Sequence, residues 1–306
     1  MWCGRVGYES ICEELEMKLT DFKEIVKIEK GWSHEQKYKV MAEDGKHFLL
    51  RISANEQYEE KKAEFENMQM ISAMGIPMCQ PIEFGTCEDG VFSLQSWIEG
   101  KDVEEMLPFL SDEKVYAYGY EAGEILKKLH SIAAPEGIGE WETFFNQKMN
   151  RKIENYKNCP LKYENGEAFI TYIEEHRHLL ENRPMTYQHG DFHIGNMMVD
   201  ADGTLVIIDF NRSEYGDPWE EFNRIVWCAQ SAPSFAKGMV DGYFDGNVPM
   251  KFWDLLALYI SSNTLSSLPW AIPFGQKEID VMINQAEDIL SWYDGMKCTV
   301  PKWYKE

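Results

Sequence analysis

The segment 188–210 limits the fold more than any other part of the chain. It reads Gln-His-Gly-Asp-Phe-His-Ile-Gly-Asn, then Met-Met-Val, an Asp200-Ala201-Asp202-Gly203 turn, and Leu-Val-Ile-Ile-Asp-Phe. Two short apolar runs on either side of an Asp- and Gly-rich turn predict a tight antiparallel hairpin that turns at Ala201-Asp202. In such a hairpin, the residue entering the first strand and the residue leaving the second share one open end. Asn196 and Asp209 are therefore expected to be neighbours, with His189 and Asp191 in the loop just ahead of them.

This set, spaced His-x-Asp-x-x-x-x-Asn, has the chemistry of phosphoryl transfer. That reaction needs a carboxylate to orient a hydroxyl and take its proton, and oxygen ligands for a Mg²⁺ that bridges phosphates. Asp191, Asn196 and Asp209 supply them. A zinc hydrolase built on His189, Asp191, His193 and Asp209 has suitable donor types, but it leaves Asn196 and the N-terminal pattern without a role.

The N-terminal third is sheet-like. Alternation at 23–29, then the stretches 37–42 and 47–52 joined across Glu43-Asp44-Gly45-Lys46, predicts three antiparallel strands. Residues 54–74 carry Phe65, Met68 and Ile71 or Ser72 at helical spacing before Gly75 and Pro77. Two more strands bracket Glu88-Asp89-Gly90, and Ser10 with Glu13 matches a capping box near the start.

Beyond Ile98-Glu99-Gly100 helical periodicity dominates. Ser111 caps a stripe of Val115, Tyr118, Ala122, Ile125, Leu126 and Leu129; a second helix fits 167–181; Phe252, Leu255, Leu256, Tyr259 and Ile260 form a third stripe. At 306 residues the chain is long for one core. The expected class is α+β with two lobes, 1–98 a five-stranded antiparallel sheet with one helix, and 99–306 mainly helical with the catalytic loop and acceptor site.

A net charge of −22 disfavours nucleic acid or an anionic membrane surface as partner and is compatible with a cationic small molecule. The acids are spread along the whole chain, as on an ordinary acidic surface. No eighteen-residue apolar run occurs, and no apolar stretch follows basic residues near the start, which argues against membrane spanning and export. Seven scattered cysteines without a Cys-x-x-Cys pair read as reduced thiols in a cytoplasmic protein.

His189-Gly190-Asp191 with Asn196, followed by Ile208-Asp209-Phe210, resembles the aminoglycoside phosphotransferase family, relatives of protein and choline kinases. Gly31-Trp32-Ser33 is similar to that family's nucleotide loop, Leu126-Lys127-Lys128-Leu129-His130 to its Leu-His helix end, and Gly216-Asp217-Pro218 with Glu221 to its Gly-Asp-Pro-x-x-acid segment. The resemblance implies a protein-kinase-like bilobal fold. It makes Asp191 the catalytic carboxylate, Asn196 and Asp209 the metal ligands, and His189 a structural member of the loop.

On the nucleotide side, the resemblance implies that Gly31 and Ser33 cradle the phosphates. Arg51 stands where a lysine usually holds them, keeping the charge but reaching with a planar fork. Glu64, rather than Glu60, becomes its partner on the following helix, within about 4 Å. The Ser96 carbonyl and the Ile98 N–H become the base contacts, which do not separate ATP from GTP.

Phe210-Asn211 replaces the Phe-Gly of protein kinases, and no Ala-Pro-Glu segment follows, so a small acceptor is expected rather than a protein. The implied activity is a magnesium-dependent phosphotransferase that moves the γ-phosphate of ATP or GTP to a small-molecule hydroxyl. Aminoglycoside, macrolide, choline-like amino alcohol and sugar acceptors fit the same core, and a catalytically silent nucleotide-binding protein is the reading that Arg51 alone favours. Trp270, in Leu-Pro-Trp-Ala-Ile-Pro-Phe-Gly, is expected between helices as the roof of a pocket.

Overall fold

The structure is a computed structural model that describes residues 22–29 and 35–305. The expected capping box at Ser10 and Glu13 and the loop residues Gly31 and Ser33 lie outside the described residues. Two compact units divide the chain, the first holding residues up to Met74 with Cys79–Trp97, the second Gly75–Met78 with everything from Ile98 onward.

In the first unit β1 (Glu24–Ile28), β2 (Gln36–Met41), β3 (His47–Ser53), β4 (Pro81–Cys87) and β5 (Gly90–Ser96) form an antiparallel sheet of order β1-β2-β3-β5-β4. The β2–β3 turn closes where expected, with Asp44 Oδ1 accepting the Lys46 N–H at 3.0 Å and Gly45 at φ 84°. Strand alternation sends Val40, Leu50, Ile52, Phe92 and Leu94 to one face, where they form a buried cluster. The other face carries Lys37, Arg51, Ser93 and Gln95, and α1 (Tyr58–Ala73) packs there. Its Phe65, Met68 and Ile71 are buried, and the Gln95 amide donates to Met68 Sδ at 3.5 Å.

The second unit begins with β6 (Gly100–Asp102) and α2 (Val103–Met106), followed by the helices α3 (Asp112–Leu129), α4 (Trp141–Asn158) and α5 (Glu167–His176). Then come β7 (Thr186–Gln188), β8 (Met197–Asp200), β9 (Leu205–Ile207) and β10 (Glu214–Gly216). The last elements are α6 (Ile225–Ser231), α7 (Pro233–Phe244), α8 (Met250–Ala271), α9 (Gln276–Trp292) and α10 (Lys302–Lys305). β6-β8-β9 form one small sheet and β10-β7 another. The four residues 75–78 belong to this unit because the Ile207 N–H donates to Pro77 O at 2.9 Å and Met78 bridges to Ile207 in parallel.

Ser111 Oγ accepts the Lys114 N–H at 3.4 Å and so caps α3, all six of whose striped positions are buried. α3 meets α7 at four glycines. A Cβ at Gly119 or Gly123 would overlap the carbonyl oxygens of Phe235 and Met239, and one at Gly238 or Gly242 those of Tyr116 and Tyr120. The helix expected over 167–181 ends at His176 and continues as a 3-10 turn to Leu180.

The placement of Trp270 between helices is corrected. α8 runs through Ala271 with Pro269 inside it, and Trp270, 44% exposed, sits in its last turn with its ring 4.8 Å from that of Phe274. A proline within a helix costs about 3 kcal/mol. Burial of Phe252, Trp253, Leu255, Leu256 and Tyr259 along the same helix, at about 1.5–3 kcal/mol each, outweighs it.

The described cysteines are all free thiols. Among the described residues, no helix is long and apolar enough to cross a membrane.

Candidate active site

The hairpin of β8 and β9 pairs Met197 with Ile207, and the Ile208 N–H donates to Asn196 O at 3.0 Å, which sets Asp209 beside the start of β8. Its turn is closed by the Asp200 side chain, whose Oδ1 accepts the N–H groups of Asp202 and Thr204, each at 2.9 Å. Asp209 is left-handed at φ 68°, a conformation that costs a non-glycine residue about 1–2 kcal/mol and here falls on a residue expected to bind metal.

The loop between β7 and β8 carries Asp191. Arg224 Nε lies 3.2 Å from Asp191 Oδ1, Arg212 Nη1 3.4 Å from Oδ2, and His193 Nε2 3.8 Å from Oδ1. Burial raises the pKa of this carboxyl, but His193, Arg224 and Arg212 outweigh that and hold it well below the usual carboxylate range. Asp191 is therefore ionised at neutral pH and is a weak base.

Buried polar groups fix the loop. His189 is fully buried; its Nε2 donates to Ile208 O at 3.0 Å and its Nδ1 accepts the Asp191 N–H at 3.3 Å. Burial lowers its pKa, so the neutral ring ties the loop to the hairpin. Glu221 accepts the N–H groups of His189 at 2.6 Å and Gly190 at 2.8 Å. Gly190 is required here, because at φ 83° an added Cβ would overlap the Arg212 carbonyl oxygen. Gln188 in turn donates to Asp217 O at 2.7 Å.

Asp217 is itself buried. It receives a bidentate Arg183 fork at 2.6 and 2.7 Å, the Tyr259 hydroxyl at 2.5 Å and the Trp219 N–H at 2.9 Å. His130, at the end of α3, places Nε2 3.7 Å from Glu221 and bonds the Tyr243 hydroxyl through Nδ1 at 3.0 Å.

Asn196 and Asp209 fit a hard cation. Both hydrogen bonds from the Asn196 amide to Asp191, at 2.8 and 3.3 Å, are made by Nδ2, which leaves Oδ1 as an acceptor. An amide oxygen with a carboxylate oxygen is a donor set that Mg²⁺ accepts when phosphate and water complete the shell. The zinc set does not assemble. Both ring nitrogens of His189 are engaged by the backbone, and among the described residues no three His, Cys, Asp or Glu side chains come together as a metal cluster.

In the first unit, the direct Arg51–Glu64 pair is replaced by a chain of four residues. Arg51 bonds Glu35 Oε2 through Nε at 2.8 Å and Nη2 at 2.6 Å. Lys61 Nζ lies 2.6 Å from Glu35 Oε1 and 2.8 Å from Glu64 Oε1. The reason is geometric. Glu35 just precedes Gln36, which pairs with Ile52, so it faces Arg51 and Ser53 on the same side of the sheet; Ser53 Oγ donates to it at 3.3 Å. Lys61, one turn before Glu64 on α1, fills the space between. Ser96, at the end of β5, exchanges bonds with Gln80 through its N–H at 2.9 Å and Oγ at 2.8 Å, while Ile98 falls in the second unit.

Sequence reasoning missed Glu35, Lys61, Arg212 and Arg224. Position 35 stood beside the expected nucleotide loop and position 61 beside Glu64, and both carried a charge of the right sign. The two arginines lie far from Asp191 in sequence, and no local pattern marks them.

No curated protein matches the sequence. Among solved structures, wild-type aminoglycoside 2'-phosphotransferase-IIIa as its GDP complex superposes with a TM-score of 0.65 at 14% identity, over 88% of this chain and 92% of that one. A choline/ethanolamine kinase family protein from Mesorhizobium loti gives 0.64 at 13% identity, over 92% of each. An amicoumacin kinase in complex with AMP-PNP, Ca²⁺ and Ami gives 0.63 at 12% identity, over 95% and 93%. These likenesses establish a kinase-like α+β fold. The phosphotransferase enzyme family matches residues 24–253, most of the chain, and the chain belongs to that family.

Proposed function

We propose that this protein is a magnesium-dependent kinase that transfers the γ-phosphoryl group of ATP or GTP to a hydroxyl of a small molecule in the cytoplasm. The observation that carries the reading is the junction at Asn196. Its amide bonds Asp191, and its backbone carbonyl bonds the residue before Asp209, so catalytic carboxylate and metal ligands share one frame.

In the reaction, the acceptor oxygen attacks the γ-phosphorus as the bond to the bridging oxygen breaks. The electron pair leaves with the nucleoside diphosphate, and the hydroxyl proton passes to Asp191. A weakly basic carboxylate suits a loose transition state, in which that proton moves late. Asn196 and Asp209 would hold a divalent cation, which would supply positive charge to the phosphate oxygens. Asp191 orients the hydroxyl, and His189 and Glu221 keep the loop in place.

Residues 1–98 form the nucleotide lobe in this reading, with Gly31, Ser33, Arg51, Ser96 and Ile98 as its contacts and Glu64 behind Arg51 in the charge chain, and residues 99–306 hold the acceptor. GDP on the 2'-phosphotransferase and AMP-PNP with Ca²⁺ on the amicoumacin kinase support a nucleotide and a divalent ion.

The test is diphosphate release from ATP or GTP with Mg²⁺ across a panel of hydroxylated acceptors, comparing wild type with Asp191→Ala. The variant is expected to keep its fold and nucleotide affinity and to lose about 10²-fold or more in turnover. Turnover equal to wild type would remove Asp191 from the reaction.

A further inference from the structure

Cationic side chains gather around Asp191. One carboxylate is balanced by one guanidinium, yet Arg212 at 3.4 Å and Arg224 at 3.2 Å both face it. The Arg224 Nε is enclosed and has no hydrogen bond partner, Asp191 being an ion-pair neighbour only. Near Arg224, α4 contributes Lys148 and Lys152, one turn apart. Lys148 stands 3.8 Å from Glu214 and from Glu220, so those two carboxylates are already engaged.

Lys152 makes no ion pair among the described residues, although it is half-buried and within electrostatic reach of Arg224, Lys148, Glu214 and Glu220. Burial first, and then the neighbouring Lys148, pushes its amine down to about 8. An enclosed ammonium without a close counterion is costly unless a ligand supplies the charge.

In a protein of net charge −22, the four cations Arg212, Arg224, Lys148 and Lys152 stand here with the four carboxylates Asp191, Glu214, Glu220 and Glu221, so this region does not share the acidity of the chain as a whole. A polycationic acceptor would meet like charge at the carboxylate meant to orient its hydroxyl. The expectation of a cationic acceptor came from net charge alone, and at ordinary ionic strength charges beyond about 8–10 Å are largely screened, so the local set decides.

We propose that the acceptor carries an anionic group, a carboxylate or a phosphate ester, close to the hydroxyl that is phosphorylated, and that Arg224 and Lys152 bind that group. The proposal rests on the kinase reading and assigns the acceptor class of the same site. Arg224 offers a planar fork matched to either anion, and Lys152 a point charge beside it.

Calorimetric titration of the Mg-ADP-saturated protein with glycerol 3-phosphate, D-glycerate and kanamycin tests it, on wild type, Lys152→Gln and Arg224→Gln. At least one anion is expected to bind more tightly than kanamycin, and each substitution to weaken that anion about tenfold, the loss of one charge-assisted hydrogen bond. Where Arg224→Gln does not fold, Arg224→Lys replaces it, keeping the charge and losing the fork. Kanamycin binding more tightly than both anions overturns the proposal. So does the failure of both anions to bind at about 10 mM, or anion binding that neither substitution weakens. Each of these leaves the kinase reading standing, whereas failure of Mg-ADP itself to bind in the preceding titration removes that reading instead.

Discussion

The two units hold their buried charges by different means. In the second, Asp217 and Glu221 spend their oxygens largely on backbone N–H groups and on one arginine fork, and backbone donors have no rotamers to lose. In the first, Arg51, Glu35, Lys61 and Glu64 alternate through side chains alone, two cations against two carboxylates. The loop that carries Asp191 is thus set by the fold, with bond lengths and directions imposed from the main chain. The charge chain on the sheet demands only neutrality and reach, so an arginine can stand on the strand and a lysine on the helix opposite.

Removing Asp217 should break this contrast most severely. Asp217→Ala strands the Arg183 guanidinium, 9% exposed, and the Tyr259 hydroxyl inside the second unit. A loss of about 3–5 kcal/mol is expected, the usual cost of leaving one partner of a buried pair, read from urea denaturation. A loss under about 1 kcal/mol would show that backbone geometry alone holds the loop.

The first unit should respond to pH instead. Arg51 and Lys61 overcome the effect of burial and bring the Glu35 carboxyl from 4.5 down to about 2. A depressed carboxyl contributes its full stability above the unfolded value of 4.5 and loses it as pH falls toward about 2. That gap corresponds to roughly 3 kcal/mol. Stability followed from neutral pH down to about pH 2 should therefore fall more steeply for wild type than for Glu35→Gln. Parallel curves would show that Glu35 ionises in the folded protein as it does in the unfolded one.

What was legible in the sequence was local. The β8–β9 hairpin could be read because Asp200-Ala201-Asp202-Gly203 supplies its own turn bonds, and α3 because its capping serine and apolar stripe lie within one helix. The pairing of Arg51 was not legible, since any of several acids satisfies charge and only the register of β2 on β3 brings Glu35 into reach. The α3–α7 contact was missed because glycines at 119, 123, 238 and 242 read as weak helix positions until the two backbones are seen in contact. Arg212 and Arg224 meet Asp191 only through tertiary structure. Pro269 misled in the other direction, since a local helix-breaking signal yields to the burial of the whole of α8.

The smallest effect belongs to Glu64, and it sharpens the contrast. Glu64 touches the chain only through Lys61, is 22% exposed on its side chain, and burial raises its pKa, so its ionised form is the least supported of the four. Glu64→Gln keeps the shape and an acceptor for Lys61, while Lys61 retains Glu35 at 2.6 Å and Arg51 retains its two bonds to Glu35. A stability change below about 1 kcal/mol follows, as for a partly exposed pair. Nucleotide affinity should also change little, because the chain re-pairs around Glu35. Measured together, thermal unfolding and nucleotide titration separate two arrangements. If Glu64→Gln leaves stability intact but weakens nucleotide binding more than Glu35→Gln does, then Arg51 exchanges Glu35 for Glu64 when phosphates arrive. The direct pair expected from the sequence would then belong to the nucleotide-bound state.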